Sequence, residues 1–146
     1  MSQTVNKAIE ILRGTNNTFM DQVVESIVDD EGFKPKPYQD TEKVWTFGHG
    51  LTWISREESE VVVRMRLAAI QKEIAERIKP LSPARQLVLV NMAYNLGVKG
   101  LYGFTDMWAA IEVGNFDLAA AEMLDSLWAE QVGDRDLDLA KIMREG

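Results

Sequence analysis

The sequence predicts an α+β fold that is mostly helical, with one small β-hairpin in its N-terminal third. Apolar residues recur at helical spacing through most of the chain. A proline-rich stretch, a polar turn and a run of aromatic and β-branched residues interrupt the helices near residues 34–47. The 146 residues are close to the usual size of one domain, so we expect a single domain over residues 1–146.

Two helices are predicted before the hairpin. Val5–Arg13 can form a short helix, because its apolar residues share one face and Gly14 stops it. Thr18 to about Glu31 forms an amphipathic helix with the apolar residues Phe19, Val23, Val24, Ile27 and Val28. Gly32 follows this helix at the place where a left-handed C-terminal residue is expected.

The hairpin is predicted from turn chemistry and from prolines. Lys34–Pro37 cannot lie inside a helix, because proline lacks a donor and restricts the residue before it. Tyr38–Gln39 and Val44–Phe47 then indicate two short strands. Asp40–Lys43 is typical of the turn between them.

Helices fill the rest of the chain. Ser55–Glu58 is a capping box, which predicts a long helix that ends near Lys79, before Pro80. Ser82–Pro83 places a cap before a proline at the first helical position and predicts a helix that ends at Gly97. Three further helices are expected, over Thr105–Val113, Phe116–Glu130 and Asp134–Glu145.

Composition and charge exclude several classes of function. The chain has no cysteine and one histidine, His49, so we expect no disulfide, no metal site and no cofactor. The net charge of −7 argues against nucleic acid as a partner, because phosphate-binding surfaces are basic. No stretch is apolar enough to span or anchor in a membrane, and the N-terminus does not resemble a signal peptide.

Three positions carry chemistry only when they are taken together. Asp29, Asp30 and Glu31 face the negative end of their helix dipole, which favours a protonated carboxyl of the kind that a general acid needs. Alone, these acids are more typical of a solvated helix end, where acidic residues are merely tolerated. Asp40 alone is an ordinary turn residue, and Thr46 alone is an ordinary strand residue.

The combined pattern resembles the signature of phage-type lysozymes, the muramidases of T-even and lambdoid phages. The segments that carry this resemblance are Glu31-Gly32, Tyr38, Asp40-Thr41-Glu42, Trp45-Thr46-Phe47-Gly48-His49-Gly50, Asn91–Gly97, Gly103-Phe104-Thr105, Ser126–Gln131, Gly133-Asp134-Arg135 and Met143–Gly146. The resemblance runs from about Phe19 to Gly146 and leaves residues 1–18 as an N-terminal extension. It implies a lysozyme-like fold, in which a long helix joins a β-hairpin lobe to a helical lobe.

The resemblance also implies a role for each catalytic residue. Glu31 would be the general acid that protonates the glycosidic oxygen. Asp40 would orient or deprotonate the attacking water, and the Thr46 hydroxyl would help to hold that water. The family is understood to invert the anomeric centre, which requires room for water between the two carboxyls. Arg135 resembles a supporting arginine that pairs with the catalytic glutamate and would favour its charged form.

The same resemblance places Glu42, Tyr94, Asn95 and Phe104 along the saccharide cleft. For Tyr94 core packing is an equal alternative, because Leu87 and Val90 share its helix. The four tryptophans can stack on sugars, but burial is the commoner fate of this residue. Trp128 in particular is expected in the core.

The implied partner is bacterial peptidoglycan, cut at the β-1,4 bond between N-acetylmuramic acid and N-acetylglucosamine. We expect a monomer that is made in the host cytoplasm. It would reach the wall either after release through a holin pathway or as a component of the virion. Two alternatives stay open at this point. One is a lytic transglycosylase, which does not need Asp40 and Thr46. The other is a lysozyme-like module that only binds glycan or a virion partner.

Overall fold

The computed structural model describes residues 18–125 and 134–146, which form six helices and two strands. In chain order these elements are α1 (Thr18–Glu31), β1 (Lys34–Gln39), β2 (Trp45–Gly48), α2 (Arg56–Ile78), α3 (Pro83–Tyr102), α4 (Thr105–Glu112), α5 (Phe116–Leu124) and α6 (Asp134–Glu145). The predicted α+β class is confirmed. The predicted helix Val5–Arg13 and the second part of Phe116–Glu130 lie outside the described residues.

The chain divides into two compact units. The hairpin unit extends up to Met65, and the helical unit begins at Arg66, so the boundary falls inside α2. The hairpin unit contains α1 and the sheet, and the helical unit contains α3 to α6. Whether they form the single domain expected over residues 1–146 stays a prediction. Among the described helices, none has both the length and the apolar character needed to cross a membrane.

The sheet of the hairpin unit consists of two antiparallel strands. Tyr38 pairs with Thr46 and Gln39 with Trp45, while Lys34 pairs with Gly48 after an irregularity in the register. The first strand is longer than the sequence predicts, because it includes the proline-rich segment. In a two-stranded sheet each strand has an open edge, where prolines do not break a ladder of hydrogen bonds.

The predicted helix ends of this region are confirmed. Gly32 has a φ of 63° and its N–H donates to the Val28 carbonyl over 3.1 Å, as expected for a left-handed residue that ends α1. At the start of α2 the Ser55 N–H donates to Glu58 Oε2 over 2.8 Å. The Glu58 N–H donates to Ser55 Oγ over 3.1 Å, which completes the capping box.

The core lies in the helical unit. Its fully buried residues come from α2, α3, α4, α5 and α6, and the largest are Trp108, Ile74, Ile78, Leu89, Met92, Leu101, Met107, Met123 and Met143. Helix α5 packs against α4 and α6, and α6 also packs against α3. The Trp108 indole N–H is satisfied within this core, since it donates to the Leu101 carbonyl over 3.0 Å.

Helix α3 differs from its prediction in one respect. It begins as expected, with Ser82 Oγ accepting from the Arg85 N–H over 3.3 Å. The expected end at Gly97 is instead a break, where φ is 74° and ψ is 160°, and helical turns resume up to Tyr102. Glycine adopts this conformation without steric strain, so the chain changes direction without leaving the core. Leu101, beyond the break, is fully buried.

Candidate functional site

Glu31 is the last residue of α1, and its side chain is exposed. Its carboxyl lies directly against Gly50, in the turn that follows β2. A Cβ atom at position 50 would stand 2.5 Å from Glu31 Oε2 and 2.7 Å from Cδ. The helix end and the turn after the sheet therefore approach each other through the glutamate side chain and a glycine.

Asp40 follows β1 and organises the hairpin turn. Its Oδ1 accepts from the Glu42 N–H over 2.9 Å and from the Val44 N–H over 2.8 Å. Its backbone accepts from the Lys43 N–H over 3.0 Å, where Lys43 has a φ of 63°. The other carboxylate oxygen, Oδ2, has no donor among the residues that the structure describes. Asp40 thus has a structural role through one oxygen and an unengaged acceptor on the other.

Thr46 is the one buried polar side chain of the described chain, with 6% of its surface exposed. It lies in β2, and its hydroxyl donates to the Val44 carbonyl over 3.2 Å. The same carbonyl accepts from the Asp40 N–H over 3.0 Å. Since Val44 also donates to Asp40 Oδ1, a single residue connects Asp40 with Thr46.

The three predicted catalytic residues lie at different positions along the length of the two-stranded sheet. Glu31 and Gly50 lie beyond the end at which Lys34 pairs with Gly48. Asp40 follows the opposite end, where Gln39 pairs with Trp45, and Thr46 comes directly after Trp45. All three belong to the hairpin unit. The two carboxylates are therefore attached at opposite ends of a short sheet, with the threonine between them.

The turn after β2 contains Gly48-His49-Gly50, a part of the sequence pattern for which no separate role was predicted. The Phe47 and Leu51 backbones exchange hydrogen bonds of 2.8 and 2.9 Å across it. The Phe33 ring packs on the His49 ring with 5.3 Å between centroids. His49 Nδ1 is buried and has no hydrogen-bond partner among the described residues. Gly50 belongs to the sequence pattern, but its close approach to the Glu31 carboxyl was not predicted.

The predicted substrate-binding residues divide between the two units. Glu42 is exposed in the turn of the hairpin unit. Tyr94 and Asn95 are exposed on α3, just before the break at Gly97, so Tyr94 is not a core residue. Phe104 is half-buried beside the helical core at the start of α4. That these residues line one saccharide cleft stays a prediction.

The tryptophans do not share one environment. Trp45 and Trp53 are exposed in the hairpin unit, with 61% and 73% of their surface accessible, whereas Trp108 is buried in the helical core. The side chain of Arg135 and the whole of Trp128 lie outside the described residues. The expected pairing of Arg135 with Glu31 and the expected burial of Trp128 therefore stay predictions.

Comparison with known proteins places the chain among relatives. The family model described as phage lysozyme matches residues 28–142, a range that contains Glu31, Asp40 and Thr46. The pre-baseplate central spike protein Gp5 of Enterobacteria phage T4 is 30% identical over 99 residues, which cover 64% of this chain and 17% of that protein. The chain thus corresponds to a small part of this curated relative.

Proposed function

This chain belongs to the phage lysozyme family, and from that premise we propose that it is a lysozyme that hydrolyses bacterial peptidoglycan with Glu31, Asp40 and Thr46. The observation that carries the proposal is the family match over residues 28–142, which includes all three residues. Their arrangement around one hairpin is compatible with a shared reaction centre. The proposed substrate bond is the β-1,4 linkage between N-acetylmuramic acid and N-acetylglucosamine.

Glu31 acts first in the proposed reaction. Its carboxylic acid donates a proton to the glycosidic oxygen while the bond from that oxygen to the anomeric carbon breaks. Protonation of the leaving oxygen by a positioned acid contributes roughly 10²–10⁴-fold to the rate. The exposed position of Glu31 at a helix end gives a large polymeric substrate access to its carboxyl.

Asp40 and Thr46 prepare the attacking water. Asp40 Oδ1 is occupied by two backbone N–H groups, so Oδ2 is the oxygen that takes the proton from water. The Thr46 hydroxyl donates its hydrogen bond to the Val44 carbonyl. Its oxygen is therefore left to accept a hydrogen bond from water. The water oxygen then bonds to the anomeric carbon on the face opposite the leaving group.

The expected stereochemical outcome is inversion. Inverting glycosidases keep their carboxyls about 6.5–9.5 Å apart to admit a water, whereas retaining enzymes hold them about 5–5.5 Å apart. Attachment of Glu31 and Asp40 at opposite ends of the sheet favours the wider class. The anomeric configuration of the product, measured within the first turnovers, should be inverted. Initial release of the retained anomer would contradict this mechanism.

The decisive variant is Glu31→Gln, which keeps the size of the side chain and removes the acid. We expect clearance of chloroform-treated Gram-negative cells to slow by about 10²–10⁴-fold while the circular dichroism spectrum and Tm stay unchanged. Asp30→Asn is the control, because it removes one charge from an exposed neighbour in the same helical turn. Lysis retained in Glu31→Gln would remove Glu31 from the mechanism.

The products of digestion test the reaction class. A hydrolase leaves reducing muramic acid ends, whereas a transglycosylase leaves anhydro-muramic ends of lower mass by one water. Mass spectrometry of the soluble fragments should show reducing ends. Binding to purified sacculi without release of fragments would instead favour a module that only binds glycan.

The likeness to a central spike protein favours one further role, action as a component of the phage particle. We propose that the lysozyme opens the wall during entry as part of that particle. Immunodetection on purified, washed particles should find the chain in stoichiometric amount. Its absence from particles, together with abundance in the lysate, would assign it to lysis at the end of infection.

A further inference from the structure

Gly50 stands where no other residue type fits without moving the Glu31 carboxyl. A Cβ at position 50 would lie 2.5 Å from Oε2, 2.7 Å from Cδ and 3.2 Å from Cγ of Glu31. Nonbonded atoms make their best contacts at about 3.5–4.0 Å, so all three distances are too short. The backbone of Gly50 therefore forms one wall of the space that the carboxyl occupies.

This close approach is specific to position 50. Gly48 lies in the same turn region with a φ of 59°, yet a Cβ there would meet only Leu51 Cδ1, at an ordinary 3.6 Å. Gly32 has a φ of 63°, and a Cβ there would meet nothing within 4 Å. At these two positions only the positive φ favours glycine. At Gly50, with a φ of 73°, glycine is favoured both by the positive φ and by the lack of space for a Cβ beside Glu31.

The surrounding contacts hold the turn at this distance from the helix end. Lys34, three residues after Glu31, pairs with Gly48. Phe33 packs on His49, directly before Gly50. These two contacts join the residues that follow Glu31 to the residues that precede Gly50, and so support the close approach of the turn to the helix end.

We propose that Gly50 is a positioning residue for Glu31, whose missing side chain seats the carboxyl against the turn; this rests on the proposed role of Glu31 as the acid. The Glu31 side chain is exposed and flexible, so an added methyl displaces the carboxyl and leaves the fold in place. A misplacement of about 1 Å at a reacting group can lower the rate by roughly 10²-fold.

The test compares Gly50→Ala with Gly48→Ala. Both variants place alanine at a positive φ, but only the Cβ of Gly50→Ala overlaps the Glu31 side chain. For Gly50→Ala we expect kcat to fall by about 10- to 100-fold with KM nearly unchanged. For Gly48→Ala both constants should stay near those of the parent. Equal kcat in the two variants, or a loss that resides in KM, would overturn the proposal.

Crystal structures of the two variants give a measurement that does not depend on activity. We expect the Glu31 carboxyl to be displaced in Gly50→Ala and unmoved in Gly48→Ala. A carboxyl that keeps its position in Gly50→Ala would contradict the proposal even if the enzyme is active. If the parent protein proves inert on peptidoglycan, the proposed function fails, while the crystal structures still decide whether Gly50 seats the carboxyl.

A second pair guards against misfolding of the alanine variants. Asparagine tolerates positive φ better than alanine, so Gly50→Asn and Gly48→Asn carry less backbone strain. The same contrast in kcat is expected, because the Cβ of asparagine occupies the same place as that of alanine. Full activity of a folded Gly50→Asn variant would overturn the proposal.

Discussion

Different interactions stabilise the inside of each of the two units of this protein. In the helical unit a continuous set of apolar side chains is buried, and every fully buried apolar residue of the described chain lies at or after Ile74. In the hairpin unit Thr46 alone is buried among the described residues, and large apolar side chains such as Phe19 and Trp53 are exposed. Backbone hydrogen bonds, glycine conformations and side-chain caps define the hairpin unit instead.

The difference separates stability from the proposed chemistry. Packed apolar side chains supply most of the free energy of folding, so the helical unit is expected to dominate global stability. Glu31, Asp40 and Thr46 all belong to the hairpin unit, which has few buried contacts. Binding and catalytic groups commonly reside in the less stable parts of a fold, where polar side chains can face a substrate.

The largest effect on stability is expected from a cavity in the helical unit. Leu89→Ala removes a fully buried side chain of α3 and should lower the free energy of unfolding by about 2–5 kcal/mol. Leu87→Ala makes the same chemical change on the same helix at a side chain that is 54% exposed. Urea unfolding followed by circular dichroism measures both. Equal losses in the two variants would contradict the view that buried apolar side chains stabilise the helical unit.

A smaller effect is expected from the turn of the hairpin unit. Asp40→Ala removes the acceptor of the Glu42 and Val44 N–H groups, and should lower the free energy of unfolding by about 1–2 kcal/mol. Asp40→Asn retains a carbonyl oxygen for these donors and should recover most of that loss. Both variants should lack lytic activity, because neither has a carboxylate to accept a proton from water.

This pair distinguishes the structural role of Asp40 from its proposed catalytic role. Urea unfolding and turbidity clearance are measured on the same preparations. An active Asp40→Asn variant would show that Asp40 has only a structural role in the turn and takes no part in the reaction. A variant Asp40→Ala as stable as the parent would mean that the turn does not depend on the side chain.

The smallest effect concerns pH and the capping box of α2. Hydrogen bonds from the Ser55 backbone and side chain lower the pKa of Glu58 below its ordinary value of 4.5. The folded state therefore gains stability from this carboxylate above pH 4.5, and loses it as the pH falls through the lowered pKa. Since Glu58 is exposed, the contribution is small.

Glu58→Gln is the matched variant, because glutamine keeps an acceptor for the Ser55 N–H and does not titrate. The free energy of unfolding, measured as the pH is lowered from neutrality to about 3, should fall slightly less in this variant than in the parent. Identical pH profiles would show that the capping box makes no measurable contribution.

Local features were predictable because their partners are close in sequence. The capping box of Ser55 and Glu58 joins residues three positions apart, and Asp40 binds donors two and four positions away. The left-handed Gly32 closes a bond to Val28. Such contacts depend on residue type and spacing, so the sequence contains all the information that they require.

For the candidate site, the sequence predicted three members whose roles are untested, and it did not predict how the turn after β2 approaches them. Glu31, Asp40 and Thr46 were identified by the resemblance of their segments to the signature of phage-type lysozymes, and their catalytic roles remain proposals. The pattern could not reveal that Gly50 lies against Glu31, because 19 positions separate them and the sheet alone brings them together. A glycine in a sequence signals backbone freedom, but it does not show which side chain fills the space that it leaves.

The sequence by itself determined the class of the fold, most helix ends, the hairpin and the identity of its turn residues. Tertiary structure decided which apolar faces are buried. The helix Thr18–Glu31 has a regular apolar face that periodicity alone would place in a core, yet Phe19 is 69% and Ile27 is 51% exposed. Trp108 is buried while Trp45 is not. Hydrophobic burial is non-directional and depends on which elements meet, so it becomes known only when the chain is folded.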